Sequence, residues 1–200
     1  MTNKRQAAIL LINGPPGSGK DTIADMVYSL FMMHFNGGSA MLRKFADPLI
    51  SALQIQEGYA RKVYYEVSKR LNPAIRERAI MLSEVVIKPE HGEGVFGSIA
   101  AAMAAKDIAD GHRLVVFSDA GFVAEIKAFI HMLESLTWRG IPVHIWSVHR
   151  QGTSFQGDSR ERIGSQTVPL AATYEEVQNY GTLEDLENTV KAKMNALIPR

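Results

Sequence analysis

The stretch Gly14-Pro15-Pro16-Gly17-Ser18-Gly19-Lys20-Asp21-Thr22 carries the most specific chemical signal in the chain, because Gly14, Gly19 and Lys20 keep the spacing G-x4-G-K. Glycines let the main chain wrap closely around an anion, and successive N–H groups and the positive end of a following helix then point at phosphate oxygens. Gly14, Pro15, Gly17, Ser18, Gly19, Lys20, Asp21 and Thr22 are therefore the candidate phosphate-binding residues, with Lys20 reaching the β- and γ-phosphates. A Ser or Thr usually follows the lysine and offers its hydroxyl to Mg²⁺. Here the residue is Asp21, so either Thr22, shifted by one, serves the metal or Asp21 takes a different part.

Polar residues that end apolar runs come next, since ligands of open α/β sheets bind outside the carboxyl ends of the strands. Asp47 follows Lys44-Phe45-Ala46, and Ser118-Asp119 follows Leu114-Val115-Val116-Phe117. Asp119 stands where an acid holds the Mg²⁺ shell or accepts a proton from an attacking hydroxyl. Asp47 can orient a substrate hydroxyl or act as base. For both, a helix cap or turn is the alternative.

The segment His149 to Arg162 holds Arg150, Arg160 and Arg162 with Gly152 and Gly157. It reads as a lid over about 150–165, whose arginines close over a transferring phosphoryl group while water is excluded. A solvated charge cluster is the other reading. His144 and His149 are read as packing or surface residues, and the histidines show no metal-ligand spacing with carboxylates.

Positive charge recurs at Arg61, Lys62, Lys69, Arg70, Arg76 and Arg78, beside Tyr59, Tyr64 and Tyr65. A monophosphate needs a cation and a base needs a flat apolar face, so the acceptor pocket is expected here. Tracking of a nucleic-acid backbone is the competing use. Arg76 is the leading candidate, because Asn72-Pro73 starts a helix and sets Arg76 in its first turns.

Elements that could hold these groups alternate along the chain. Ala7–Ile12, Ala40–Phe45, Leu114–Ser118, Val143–Val148 and Tyr174–Gln178 read as strands, all but the last as continuous apolar runs suited to burial on both faces. Helices are expected from Asp21 to about Phe35, over Ala124–Arg139 and over Leu183–Leu197, the last capped by Thr182 with Glu184 and Asp185 in its first turn. The fold class is α/β: a three-layer sandwich of about five parallel strands with helices on both faces. Residues 1–200 form one domain, with a helical, substrate-facing insert over about 48–111, longer than a crossover requires.

Composition narrows the setting. At 200 residues, 46% hydrophobic and 22% charged, the chain fits one globular core. A net charge of +1 demands no polyanion partner, and zero cysteines exclude disulfides, thiolate chemistry and Cys-based zinc sites. No apolar run approaches the roughly 18 residues of a membrane span, and Met1 to Gln6 does not read as an export signal. A reducing cytoplasm, that of a host cell if the chain is phage-encoded, is the expected location, without a membrane partner; an oligomer is compatible with the sequence.

The residues quoted resemble the bacteriophage deoxynucleoside monophosphate kinases, within the P-loop nucleoside and nucleotide kinases. The likeness covers most of the chain: Gly17 to Asp25, with its Lys-Asp-Thr order; Lys44 to Leu49; Leu82 to Pro89; Val95-Phe96-Gly97; Ser118 to Phe122; Gly157 to Arg160; and Asn179 to Leu183. It implies ATP as donor on Gly14–Thr22, Mg²⁺, Asp119 near the reacting centre, and Arg150 and Arg160 around the phosphates. It also implies that Ser83, Glu84 and Lys88 shape the acceptor site. Related phage kinases act on hydroxymethylated pyrimidines in DNA. Three functions are thus expected in order: transfer of the ATP γ-phosphoryl group to a deoxynucleoside monophosphate; phosphorylation of a 5-hydroxymethyl pyrimidine, such as 5-hydroxymethyluracil, in phage DNA; and an ATPase acting through a protein partner.

Overall fold

The structure, a computed structural model, describes residues 7–34, 38–51, 73–136 and 140–197. Expectations for Tyr59, Arg61, Lys62, Tyr64, Tyr65, Lys69 and Arg70, and for the side chain of Arg76, lie outside the described residues.

The strands are β1 (Ala8–Asn13), β2 (Ser39–Arg43), β3 (His112–Phe117), β4 (Val143–His149) and β5 (Ala172–Gln178). They form one five-stranded sheet in the order β2-β3-β1-β4-β5, with every pair parallel. Strand side chains alternate between faces, so one run of apolar residues serves two cores. Ile9, Leu11, Val115, Phe117 and Ile145 pack on one face, against α4 (Val95–Ala109) and α5 (Val123–Ser135). Leu10, Ile12, Leu114, Val116 and Trp146 pack on the other, against α1 (Lys20–His34) and α6 (Leu183–Leu197). The three-layer α/β sandwich is the expected fold class.

β2 ends at Arg43, two residues before the expected Phe45. The amide of Phe45 donates to Asp119 Oδ1 (2.7 Å) and that of Ala46 to Oδ2 (3.3 Å), so these N–H groups leave the strand ladder for a side chain. At the other edge, α6 begins at Leu183, where Thr182 and Asp185 cap one another: Asp185 N–H donates to Thr182 Oγ1 (3.2 Å), and Thr182 N–H to Asp185 Oδ2 (2.8 Å).

The described part of the 48–111 insert is helical. A helical segment over 47–51 precedes α2 (Pro73–Met81), a π-helical stretch (Leu82–Ile87), α3 (Lys88–His91) and α4. Pro73 opens α2 as expected, where its missing N–H costs no helical hydrogen bond. Leu49, Ile50, Ile75, Ala79 and Phe96 form a third small core, which seats these helices beside the carboxyl ends of β2 and β3. No helix among the described residues is long and apolar enough to cross a membrane.

Candidate active site

β1 ends in Asn13, and residues 14–19 turn back over its carboxyl end before α1 begins at Lys20. Gly17 (φ 76°) and Gly19 (φ 97°) take left-handed backbone that a side chain rarely adopts. Gly19 also has no room for a β-carbon, which would stand 2.6 Å from Asn179 Nδ2; that amide donates to Ser18 O (2.9 Å) and ties the loop to the end of β5. Inside the loop, Lys20 Nζ donates to Pro15 O (2.8 Å), and burial lowers its pKa to about 8, with Arg160 pressing in the same direction. Ser18 Oγ is buried without a hydrogen-bond partner among the described residues. A buried hydroxyl and a desolvated ammonium on a ring of main-chain amides fit a polyphosphate.

Asn13 fastens the surrounding loops. Its Nδ2 donates to Ala120 O (2.8 Å) and Glu161 O (3.0 Å), and its Oδ1 accepts from Ile163 N–H (3.0 Å). The expected lid is therefore pinned at its distal end to β1 and to the β3–α5 connection.

Of the three lid arginines, one lines the cavity that opens beside the loop. Arg160 is gripped by Asp158 in a two-pronged ion pair (Nε–Oδ1 2.8 Å, Nη2–Oδ2 2.6 Å). Arg150 Nη1 donates to Gly17 O (3.2 Å) on the phosphate loop, outside the cavity lining. Arg162 turns to His149 and the Phe155 ring. His144, buried and hydrogen bonded with Thr173 Oγ1, is a packing residue as expected.

The cavity measures about 470 Å³, within the range of small-molecule sites. At its phosphate-loop end stand Lys20, Asp21, Lys44, Ser118, Asp119 and Arg160. Its remaining wall comes from the third core and the insert, with Ile50, Ala79, Ser83, Glu84 and Phe96, joined by Phe122 from the β3–α5 connection and Glu125 from α5. Burial pushes the Asp119 carboxyl up against the pull of its two amide donors.

Several expected site residues take other places. Thr22 is exposed on α1 and does not line the cavity, whereas Asp21 does and accepts from Ser118 Oγ (2.8 Å). One residue along a helix rotates a side chain by about 100°, so the hydroxyl at the shifted position leaves the site. Asp47, 7% exposed, accepts from Lys44 N–H (3.0 Å) within its own turn and lies outside the cavity lining, which fits the turn reading instead of substrate contact. Ser83 and Glu84 line the cavity, but Lys88 stands behind them. It is 3% exposed, with Nζ 2.7 Å from Glu84 Oε1 and 3.9 Å from the Phe122 ring centroid. Ser83 Oγ also donates to Glu84 Oε1 (3.1 Å), so Lys88 acts on the cavity through Glu84.

Two residues that spacing did not mark belong to the site. Asp158 holds Arg160; it lies in the Gly157 to Arg160 segment of the resemblance, but no spacing assigned it a role. Glu125 reads as an ordinary charge in the first turn of a helix, yet it is 4% exposed at the cavity wall.

Mg²⁺ is a hard cation that takes one or two carboxylates and keeps waters and phosphate oxygens for the rest of its shell. The all-oxygen group Asp21, Ser118 and Asp119 at the phosphate-loop end fits that chemistry. No cluster of three or more His, Cys, Asp or Glu among the described residues forms a protein-only metal cage.

The parallel sheet order, the glycine loop between β1 and α1, and an acid after β3 together define a P-loop NTPase sandwich. No protein-family model matches the chain, and no curated protein matches it by sequence. A solved structure described as APE1195 superposes with a TM-score of 0.50 at 14% identity, covering 96% of each chain, a likeness in fold alone. A tunicamycin resistance protein from Deinococcus radiodurans gives 0.45 at 14% identity over 94% of this chain and 95% of that one. A gluconokinase from Sinorhizobium meliloti 1021 gives 0.42 at 12% identity over 97% and 95%.

Proposed function

We propose that the protein is an ATP-dependent phosphotransferase that moves the γ-phosphoryl group to a deoxynucleoside monophosphate. The observation that carries this reading is the continuity of one cavity from Lys20, Asp21 and Arg160 to a wall that sets Glu125 beside the rings of Phe96 and Phe122. Donor and acceptor groups can therefore meet in one space. Catalysis of phosphoryl transfer is mostly positioning and charge stabilisation. Lys20 and Arg160 supply positive charge where negative charge accumulates, and Asp158 keeps the Arg160 guanidinium oriented. When bound, Mg²⁺ would neutralise phosphate charge, and Asp21 with Ser118 and Asp119 are the residues that would hold it. The pinned end of the lid, through Asn13, keeps Arg160 close to the loop while the segment around Gly152 and Gly157 closes over it.

A second reading, phosphorylation of a 5-hydroxymethyl pyrimidine in DNA, is favoured by the charge distribution. The cations lining the cavity, Lys20, Lys44 and Arg160, cluster at the phosphate-loop end, and the opposite wall offers carboxyls and hydroxyls. A neutral alcohol suits such a wall, and Asp119, whose proton affinity burial raises, can accept its proton.

Incubation with γ-labelled ATP and Mg²⁺, in separate reactions with deoxynucleoside monophosphates and with hydroxymethylated DNA, tests both. Label in a monophosphate supports the first reading. Label in DNA alone replaces it with the second, and label in neither, with folded protein, removes both.

A further inference from the structure

Glu125 is buried, lines the cavity, and has no hydrogen-bond or ion-pair partner among the described residues. Its carboxyl oxygens are not sealed in the interior but open to the cavity, where a ligand can replace water as their partner. Its position is built, not incidental. A β-carbon at Gly97 would stand 1.9 Å from the Glu125 carbonyl oxygen, and one at Gly94 would stand 2.6 Å from Ala128 Cβ. Two glycines one helical turn apart therefore let α4 press directly on the backbone of α5, which holds Glu125 against the cavity.

The groups that face it are Lys88 from α3, Glu84 from the π-helical stretch, Glu93 from the turn before α4, and Asp119 from the end of β3. Lys88 favours the ionised form, but burial outweighs it, the three acids add to burial, and the carboxyl is pushed up to about 8. Near neutral pH Glu125 therefore keeps its proton, and it presents an O–H donor beside a C=O acceptor. That pair matches a ring edge on which a carbonyl adjoins an N–H. Phe45, Phe96, Phe122 and Ile50 on the same cavity suit a flat ring better than a polyol.

We propose that Glu125 is the specificity-determining residue of the acceptor cavity, its carboxyl pairing with the adjacent C=O and N–H of a lactam heterocycle such as a pyrimidine base. The inference rests on the phosphotransferase reading for taking this cavity as the acceptor site. Asp119, and not Glu125, is among the acids that act on Lys20 and Arg160, so Glu125 reads the acceptor's body and leaves the reacting atoms to the phosphate-loop end.

The test is equilibrium binding, which does not depend on transfer. Titration calorimetry compares thymidine 5′-monophosphate with base-free 2-deoxyribose 5-phosphate on wild type, Glu125→Gln and Glu125→Ala, at about pH 6.5 and about pH 9. The wild type is expected to prefer the base-bearing ligand at least about tenfold. Glu125→Gln, which keeps a C=O and an N–H, retains that preference within about threefold, and Glu125→Ala loses it. From the lower to the higher pH the wild type loses about tenfold more affinity than Glu125→Gln, because titrations of Lys20 and of the ligand are common to both. Equal binding of the two ligands by wild type, an unchanged preference in Glu125→Ala, or identical pH dependence of wild type and Glu125→Gln overturns the proposal; the last comparison decides if Glu125→Ala does not fold. Base-dependent binding that needs Glu125, without any transfer, leaves this proposal standing and removes the phosphotransferase reading. Transfer to thymidine monophosphate that Glu125→Ala leaves intact does the reverse.

Discussion

The side chain of Arg160 lies across Gly121: a β-carbon on that glycine would come within 2.4 Å of both Cγ and Cδ of the arginine. The contact joins the β3–α5 connection to the lid, and the backbone reinforces it, since Glu161 N–H donates to Gly121 O (2.9 Å). The position of the one lid arginine on the cavity is therefore set from below by an absent side chain and from the side by Asp158.

Gly121→Ala should consequently displace the Arg160 guanidinium without touching any residue of the loop 14–22. A shift of about 1 Å at a charge-stabilising group can cost up to about a hundredfold in rate. The expected result is a kcat lowered by about ten- to a hundredfold, with ATP affinity changed by less than about threefold. Steady-state kinetics of the transfer reaction, with nucleotide binding measured by calorimetry, checks it; an unchanged kcat removes Arg160 from the transfer step.

The proposed Mg²⁺ site separates Asp21 from Thr22. Asp21→Asn removes a carboxylate from the phosphate-loop end of the cavity, whereas Thr22→Val changes an exposed side chain outside it. Asp21→Asn should raise the Mg²⁺ concentration for half-maximal rate by about tenfold, and Thr22→Val should leave it within about twofold. Magnesium titration of the initial rate distinguishes them, and the opposite ranking would return the metal to the threonine hydroxyl.

Lys20 should show a conflict between function and stability. Its folded pKa, about 8, lies below the unfolded value of 10.5, so between those values the unfolded chain binds more protons and stability rises with pH. Below about pH 8 the buried charge is a standing cost. Lys20→Met is therefore expected to melt at a higher temperature than wild type at pH 7 and to flatten the rise in stability from about pH 8 to about pH 10.5. The same change should lower kcat by about a hundredfold or more through loss of charge stabilisation. In the wild type, free of ligand, nucleotide affinity should fall as pH rises through about 8, where Lys20 loses its proton. Scanning calorimetry across pH and nucleotide titration check the two halves; a destabilised, still active Lys20→Met would contradict both.

Much of this architecture was legible in one dimension, for reasons that are local. Apolar runs mark the strands, and each expected run overlaps an observed one, although β2 is only half-buried apart from Ala40. The glycine spacing before Lys20 is legible because left-handed backbone and close approach to an anion both demand glycine there. Thr182 and Asp185 announce the start of α6 because a cap is settled within four residues. Where local reading stopped short, a distant partner decided. β2 stops at Arg43 because Asp119 takes the next amides from 74 and 73 positions away. Asp47 turns inward to its own loop, and its acidity and place in the sequence could not show that.

Residue order alone therefore determined a parallel α/β sheet, a glycine-rich loop between β1 and α1 and an arginine-bearing segment after β4, since each depends on backbone geometry and neighbours close in sequence. The tertiary structure decided which polar residue and which arginine face the cavity: Asp21 over Thr22, Arg160 over Arg150 and Arg162, and Glu125 at all. Those choices follow from helix rotation and from how closely packed elements approach. The latter is set by small residues such as Gly94, Gly97 and Gly121, whose partners lie on other elements and leave no mark in their own sequence neighbourhood.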